Sequence, residues 1–196
     1  MATFEPLAIP EVIVVTPERH GDDRGFLMER YRASLFDRHG IPGTSGPFVQ
    51  DNHSRSQRGV LRGLHWQLPP AAQGKLIAVL RGEIVDVAVD LRRGAPTFGR
   101  AVRTVLSEEN LRQLWIPAGF AHGFLVRSAS ADVHYKATAE YAPELERGLR
   151  WNDPDLAIDW GESEPALSER DRAWPTLNEL PPEDLFSYPA VGGDTP

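Results

Sequence analysis

Short runs in which apolar residues are continuous or alternate with polar ones recur along the chain, with turn-forming residues between them. They are EVIVV, GFLMERY, PFVQDN, GVLRGLHWQ, KLIAVLRG, EIVDVAVDL, RAVRTVL, RQLWIP, HGFLV and DVHYKAT. A period of two sends successive side chains to opposite faces of a pleated strand, so the series predicts an antiparallel all-β domain. Gly82, between LIAVLR and EIVDVAVDL, suits a hairpin turn, and the corner Pro117-Ala118-Gly119 parts another pair of strands. Many short strands joined by such corners predict a sandwich or jelly-roll barrel. Helical signals are brief. ASLFDRHG ends at Gly40 as a C-capped helix does, and SEEN after Leu106 reads as one capped turn.

Length and composition narrow this picture. A chain of 196 residues without a Ser/Gly-rich linker or a charge block reads as one domain over 1–196, its core about 17–175. Past Trp151 the chain is rich in Pro, Asp and Glu, and SERDRAWP and NELPPEDLF are its compact pieces. That composition predicts a tail over 176–196 that wraps the body and frays near GGDTP. A net charge of -7 with no basic run argues against a nucleic-acid or anionic-membrane surface, so any phosphate must be held by local arginines. No apolar run approaches the roughly 20 residues that span a bilayer, and MATFEPLAIP lacks a basic segment followed by an apolar one. A cytoplasmic protein is expected. With no cysteine, disulfide, thiolate-metal and cysteine-nucleophile chemistries all fall away. Lys75 and Lys136 are the only lysines, which draws attention to the one just downstream of a histidine motif.

That motif is RGVLRGLHWQ, residues 58–67, which sets His65 behind a strand-like run. Histidine titrates near neutrality, so at a strand end facing a cavity it is a candidate proton carrier or metal ligand. A regular strand would turn Arg62 and His65 to opposite faces, and Gly63 between them is the place for a bulge or bend. IPAGFAHGF, residues 116–124, puts His122 at the head of another strand and resembles the second conserved motif of cupin barrels. Metal-binding cupins supply an H-x-H pair and a carboxylate from their first motif. Here the order is His65-Trp66-Gln67, so the second imidazole is missing and no metal is expected.

DDRGFLMERY, QDNHSRSQRGVLRGLHWQ, KLIAVLRGEIVDVAVDLRRGAPTFG, IPAGFAHGF, YKATAEY and LSERD together resemble, in order, the dTDP-4-dehydrorhamnose 3,5-epimerase family. The resemblance implies a cupin-type jelly roll (double-stranded β-helix) with short peripheral helices and no cofactor. It also implies a homodimer built through exchanged N-terminal strands. The implied substrate is a thymidine-diphosphate 4-keto-6-deoxyhexose of L-rhamnose or related deoxysugar pathways. A ketone at C4 acidifies the C–H bonds at C3 and C5, so the reaction needs a base, a stabiliser for the enolate oxygen and an acid on the opposite face. His65 fits the base, and motif position assigns its partner carboxylate to Asp171, with Asp86 a second candidate. Ser168 and Asp171 also read as a helix N-cap pair, which needs no catalysis.

By the same resemblance Lys75 places an ammonium near the ketone oxygen. Alternation in DVHYKAT puts Val133, Tyr135 and Ala137 on one face, and the match makes Tyr135 the acid that returns a proton to carbon. Arg24 and Arg62 stand at the diphosphate-binding positions, since planar guanidinium forks suit phosphates. Gln50, Asn52, Glu29 and His122 complete the polar contacts, and Tyr141 offers a face for stacking. A metal-dependent cupin dioxygenase, a non-catalytic ligand-binding barrel and a single-site 3- or 5-epimerase remain as other readings of the same residues.

Overall fold

The alternating runs become strands because each has one face to bury, and the computed structural model, which describes residues 1–188, arranges them in two facing sheets. In chain order the first strands are β1 (Thr3–Pro6), β2 (Ile13–Thr16), β3 (Arg19–Asp22), β4 (Gly25–Met28), β5 (Gln50–Gln57) and β6 (Leu61–Gln67). They are followed by β7 (Lys75–Arg81), β8 (Glu83–Asp90), β9 (Arg92–Arg93), β10 (Ala101–Ser107) and β11 (Gln113–Ile116). The last are β12 (Phe120–Val126), β13 (Ser130–Ala137), β14 (Glu146–Gly148) and β15 (Phe186–Ser187). Two short helices, α1 (Ala33–Phe36) and α2 (Glu169–Ala173), sit at the periphery with a few 3-10 turns.

One sheet runs β1-β2-β11-β7-β13-β5 and the other β10-β8-β12-β6-β14, with antiparallel pairing throughout both. Among the described residues the two sheets face each other without closing into one hydrogen-bonded ring. Among the described residues the small β15–β9 pair is parallel, as is the single bridge between Val60 and Ala166. Between the sheets lies the main apolar cluster, including Ile77, Val79, Ile84, Ala88, Phe120, Phe124 and Val133. Ile9, Val12 and Val14 belong to it, so the packed body begins before residue 17. The outer face of the five-stranded sheet carries Leu61, Leu64, Trp66, Val85, Val87 and Leu125, and Leu149, Leu156, Trp160 and Leu180 cover it. The C-terminal part of the chain is therefore a lid on a second core. The expected fraying at GGDTP lies outside the described residues.

Several elements differ from the sequence reading. SEEN is a turn, in which Asn110 Oδ1 accepts from the Ser107 backbone N–H at 3.1 Å and Ser107 Oγ from that of Asn110 at 3.1 Å. The helix before Gly40 is a single α-turn continued by a 3-10 turn, and Gly40 takes the left-handed conformation at φ 70°. PFVQDN opens only the start of β5, which runs on through HSRSQ. That stretch is polar on both faces, so it carries no hydrophobic alternation; its inward residues, Gln50, Asn52 and Ser54, line a cavity instead of a core.

Candidate active site

The space between the sheets is apolar at one end and polar at the other. At the polar end is a cavity of about 590 Å³, lined from the six-stranded sheet by Gln50, Asn52, Ser54, Lys75 and Tyr135. Register explains the grouping. Asn52 pairs with Tyr135, which pairs on its other side with Ile77, so every second residue along β5, β7 and β13 points into the same space. The opposite wall is Arg62, His65, His122 and Phe124, and the mouth is closed by Tyr141, Glu146, Ser168, Arg170 and Asp171.

Arg62 and His65 share the cavity because of a bulge. On β12 the step from His122 to Phe124 covers two residues, whereas their partners on β6 run from His65 to Arg62, which is three. The extra residue inverts the alternation between the two side chains. Gly63 sits in it at φ 126°, and a Cβ there would meet Gly123 Cα at 2.5 Å, so no other residue fits.

His65 donates from Nε2 to Asp171 Oδ1 at 2.5 Å, which leaves Nδ1 as the nitrogen with an open lone pair. Asp171 is the third residue of α2, and Ser168 is its N-cap. The hydroxyl of Ser168 accepts from the Asp171 backbone N–H at 3.1 Å and donates to Asp171 Oδ2 at 2.8 Å. Cap and dyad are thus one device: the helix start that explains Ser168 and Asp171 structurally also aims the carboxylate. Burial opposes ionisation of Asp171, yet His65, Ser168 and Trp174 together hold its carboxyl below the ordinary value. Asp86 is not the partner of His65. Its strand β8 is separated from β6 by β12, and both its oxygens accept from Nε2 of the intervening His122 at 3.0 Å.

Burial lowers the Lys75 ammonium to about 8, against the attraction of Glu146 and Asp86. Burial raises Tyr135, with Arg62 opposing and Glu146 and Tyr141 adding to it, so the phenol stays protonated at neutral pH. Arg62 is fixed by a 2.9 Å bond from Nε to Ser56 Oγ, and among the described residues no carboxylate pairs with its guanidinium. Gln50 Nε2 donates to Asn52 Oδ1 at 3.1 Å, and Gln50 Oε1 accepts from the Tyr141 backbone at 2.8 Å. The Tyr141 hydroxyl donates a hydrogen bond to Glu146 Oε2 at 2.8 Å, and Arg170 Nη1 donates to the same oxygen at 2.6 Å.

Arg24 and Glu29 are elsewhere. Arg24 lies at the tip of the β3–β4 hairpin, 89% exposed and paired with Asp22, and Glu29 pairs with Arg32 at 3.0 Å just beyond that hairpin. Gln67, where a metal cupin would have a histidine, donates to the carbonyls of Ala71 and Glu140 at 2.8 and 3.1 Å and accepts from the Ala142 backbone at 2.9 Å. Its amide fastens the loop that carries Tyr141. Sequence reasoning missed Ser54, Gln73, Glu146 and Arg170. Ser54 follows Asn52 by one strand period and could have been found from it, and Arg170 adjoins Asp171. Glu146, on the three-residue β14, had no local signal.

The cavity therefore holds an imidazole hydrogen-bonded to a carboxylate, a neutral phenol, a buried ammonium and, among the described residues, a guanidinium without a carboxylate partner. A family model for dTDP-4-dehydrorhamnose 3,5-epimerase matches residues 6–179. The chain belongs to that family. Among its relatives is the dTDP-4-dehydrorhamnose 3,5-epimerase of Pseudomonas aeruginosa, 58% identical over 167 residues, which are 85% of this chain and 91% of the relative. The crystal structure of the dTDP-6-deoxy-D-glucose-3,5-epimerase of Legionella pneumophila, in complex with dTDP-4-keto-L-rhamnose, superposes with a TM-score of 0.92 at 49% identity, covering 97% of this chain and 100% of that one. NovW, a 4-keto-6-deoxy sugar epimerase from the novobiocin biosynthetic gene cluster of Streptomyces spheroides, is similar at 36% identity and a TM-score of 0.90 over 96% of this chain and 94% of its own. The fold of the family, a cupin-type jelly roll, is the fold of this chain.

Proposed function

We propose that this protein epimerises dTDP-4-dehydro-6-deoxy-D-glucose at C3 and C5, giving dTDP-4-dehydro-L-rhamnose in deoxysugar biosynthesis. One observation carries the reading: His65, braced by Asp171, and Tyr135 enter one cavity from opposite sheets. Nδ1 of His65 takes the proton from carbon, and Asp171 stabilises the imidazolium that results. The electrons of the broken C–H bond move into the enolate, whose oxygen is held by the Lys75 ammonium. Tyr135 then donates its phenolic proton to carbon from the other wall and the tyrosinate is reprotonated from solvent, while the imidazolium loses its proton to solvent before the second carbon reacts. Arg62 takes the diphosphate, with His122, Gln50 and Asn52 on polar groups and Tyr141 stacked on the base. No cofactor or metal has a role in these steps.

The same reading makes the protein a homodimer of one-domain subunits in the cytoplasm. Its support is the β3–β4 hairpin, which exposes Phe26 by 53% and Leu27 by 75% beside Arg24. Two large apolar side chains there call for cover, and a second copy that received the hairpin would gain Arg24 and Glu29 at its own cavity. The relatives at 49% and 58% identity are 3,5-epimerases, which favours two inversions over one. The test is turnover of the 4-keto sugar nucleotide in heavy water, followed by NMR. Deuterium at C3 and C5 with inversion at both is the expected result; label at one carbon makes it a single-site epimerase, and no label ends the reading.

A further inference from the structure

Ser54 stands on the inner face of β5 between Asn52 and Ser56, and it has no part in the proton transfers or in the diphosphate contact. It lines the cavity, and its hydroxyl is buried with no hydrogen-bond partner among the described residues. Register fixes its place along the wall. Rows of inward side chains cross β5, β13 and β7: Gln50, Ala137 and Lys75 form one, Asn52, Tyr135 and Ile77 the next, and Ser54, Val133 and Val79 the one after. Successive rows are about 6.5 Å apart along the strands. One period beyond Ser54, Ser56 accepts from Nε of Arg62 at 2.9 Å. Val133, Val79 and Phe124 belong to the main apolar cluster, so the Ser54 hydroxyl sits where the polar wall gives way to core. A hydroxyl in such a place is costly to leave unmet.

The order of these rows matches the order of atoms in the sugar. With the C4 oxygen at Lys75, C3 and C5 between His65 and Tyr135, and the diphosphate on C1 at Arg62, the C1–C2 end of the ring falls on the row of Ser54. That end carries one hydroxyl, at C2, since C1 bears the phosphate and the ring oxygen has no proton to give. We propose that Ser54 is a specificity-determining residue: its Oγ hydrogen-bonds the C2 hydroxyl of the 4-keto sugar, so the cavity selects 2-hydroxy hexoses against their 2-deoxy counterparts. A serine hydroxyl both donates and accepts, as the C2 hydroxyl does, so either can supply the proton of the bond. C2 does not react. The contact is therefore the same before, during and after each inversion, which makes it uniform binding, felt in KM more than in kcat. A 2-deoxy sugar would leave the hydroxyl unmet among Val133, Val79 and Phe124.

The inference rests on the epimerase reading, with Lys75 at the ketone oxygen and Arg62 at the diphosphate. Its test compares kcat/KM for native and Ser54→Ala protein, each with the 4-keto-6-deoxyhexose nucleotide and with its 2-deoxy counterpart, inversion being followed by NMR. Native protein should favour the hydroxylated sugar about 10-fold, mostly through KM, and Ser54→Ala should reduce that preference to below about 2-fold. An equal preference in both proteins overturns the role. So does a native protein that turns over the two sugars equally, a result that needs no variant to fold. Calorimetry with dTDP, which has no hexose, separates recognition of the hydroxyl from recognition of the phosphates. Its affinity should be the same for both proteins; a loss in Ser54→Ala as large as the loss for the sugar nucleotide gives the hydroxyl to the phosphates and overturns the role. Native protein that inverts neither sugar ends the epimerase reading and this inference with it, whereas equal turnover of both ends the inference alone.

Discussion

At the scale of single residues the site divides its labour by environment. His65 has its Nε2 engaged by Asp171, so His65→Ala should cut turnover by roughly 10² to 10⁴ while nucleotide affinity, measured by calorimetry, stays near native. Tyr135→Phe preserves packing and removes the donated proton. Exchange of substrate protons with heavy water should continue while inversion at C5 fails, as NMR of the recovered sugar would show. Lys75 gives a pH dependence. Its ammonium must be charged to hold an enolate, and burial brings it to about 8, so the alkaline limb of kcat/KM in the free enzyme should lie near that pH. Lys75→Arg should push the limb out of reach. The sign for stability is opposite to that for activity. Between about 8 and 10.5 the unfolded chain binds the proton that the folded chain has released, so denaturant midpoints should rise with pH across that window.

At the scale of elements, the site depends on two local departures from regularity. The bulge at Gly63 turns Arg62 and His65 to one side, and its glycine is demanded both by φ 126° and by the 2.5 Å approach to Gly123. Gly63→Ala should cost about 1–3 kcal/mol from backbone strain alone, more with the clash, and should lower kcat/KM in protein that remains folded at low temperature. The other departure is α2, a helix of five residues whose cap serine and third residue brace His65. The residues alone allowed two interpretations of Ser168 and Asp171, a cap or a catalytic carboxylate. The structure shows the cap, and the hydroxyl that caps the helix also donates to the carboxylate that accepts from His65.

At the scale of the whole molecule, one chain completes every wall of the cavity except the contacts expected of Arg24 and Glu29. If a second copy supplies them, light scattering at micromolar concentration should give a dimer. Mixing Arg24→Ala with His65→Ala protein should then restore activity that neither variant has alone, because one site in each mixed dimer carries both native residues. A monomer, or mixtures that stay as inactive as their components, would return Arg24 to an exposed hairpin residue paired with Asp22.

The sequence by itself determined the strand series, since alternation is a local property that each run states on its own. It also marked His65, Lys75, Tyr135 and Arg62, residue types whose chemistry is intrinsic and whose motifs are contiguous. Cavity membership was legible where one strand period links residues, as with Gln50, Asn52 and Ser54 on β5. What the tertiary structure decided was pairing across the chain. Asp171 reaches His65 over 106 positions, and Asp86 goes to His122 because β12 lies between β8 and β6. Glu146 enters through a three-residue edge strand. Periodicity along a strand sets which face a side chain takes; the order of strands in the sheet, which no single run encodes, sets what it meets there.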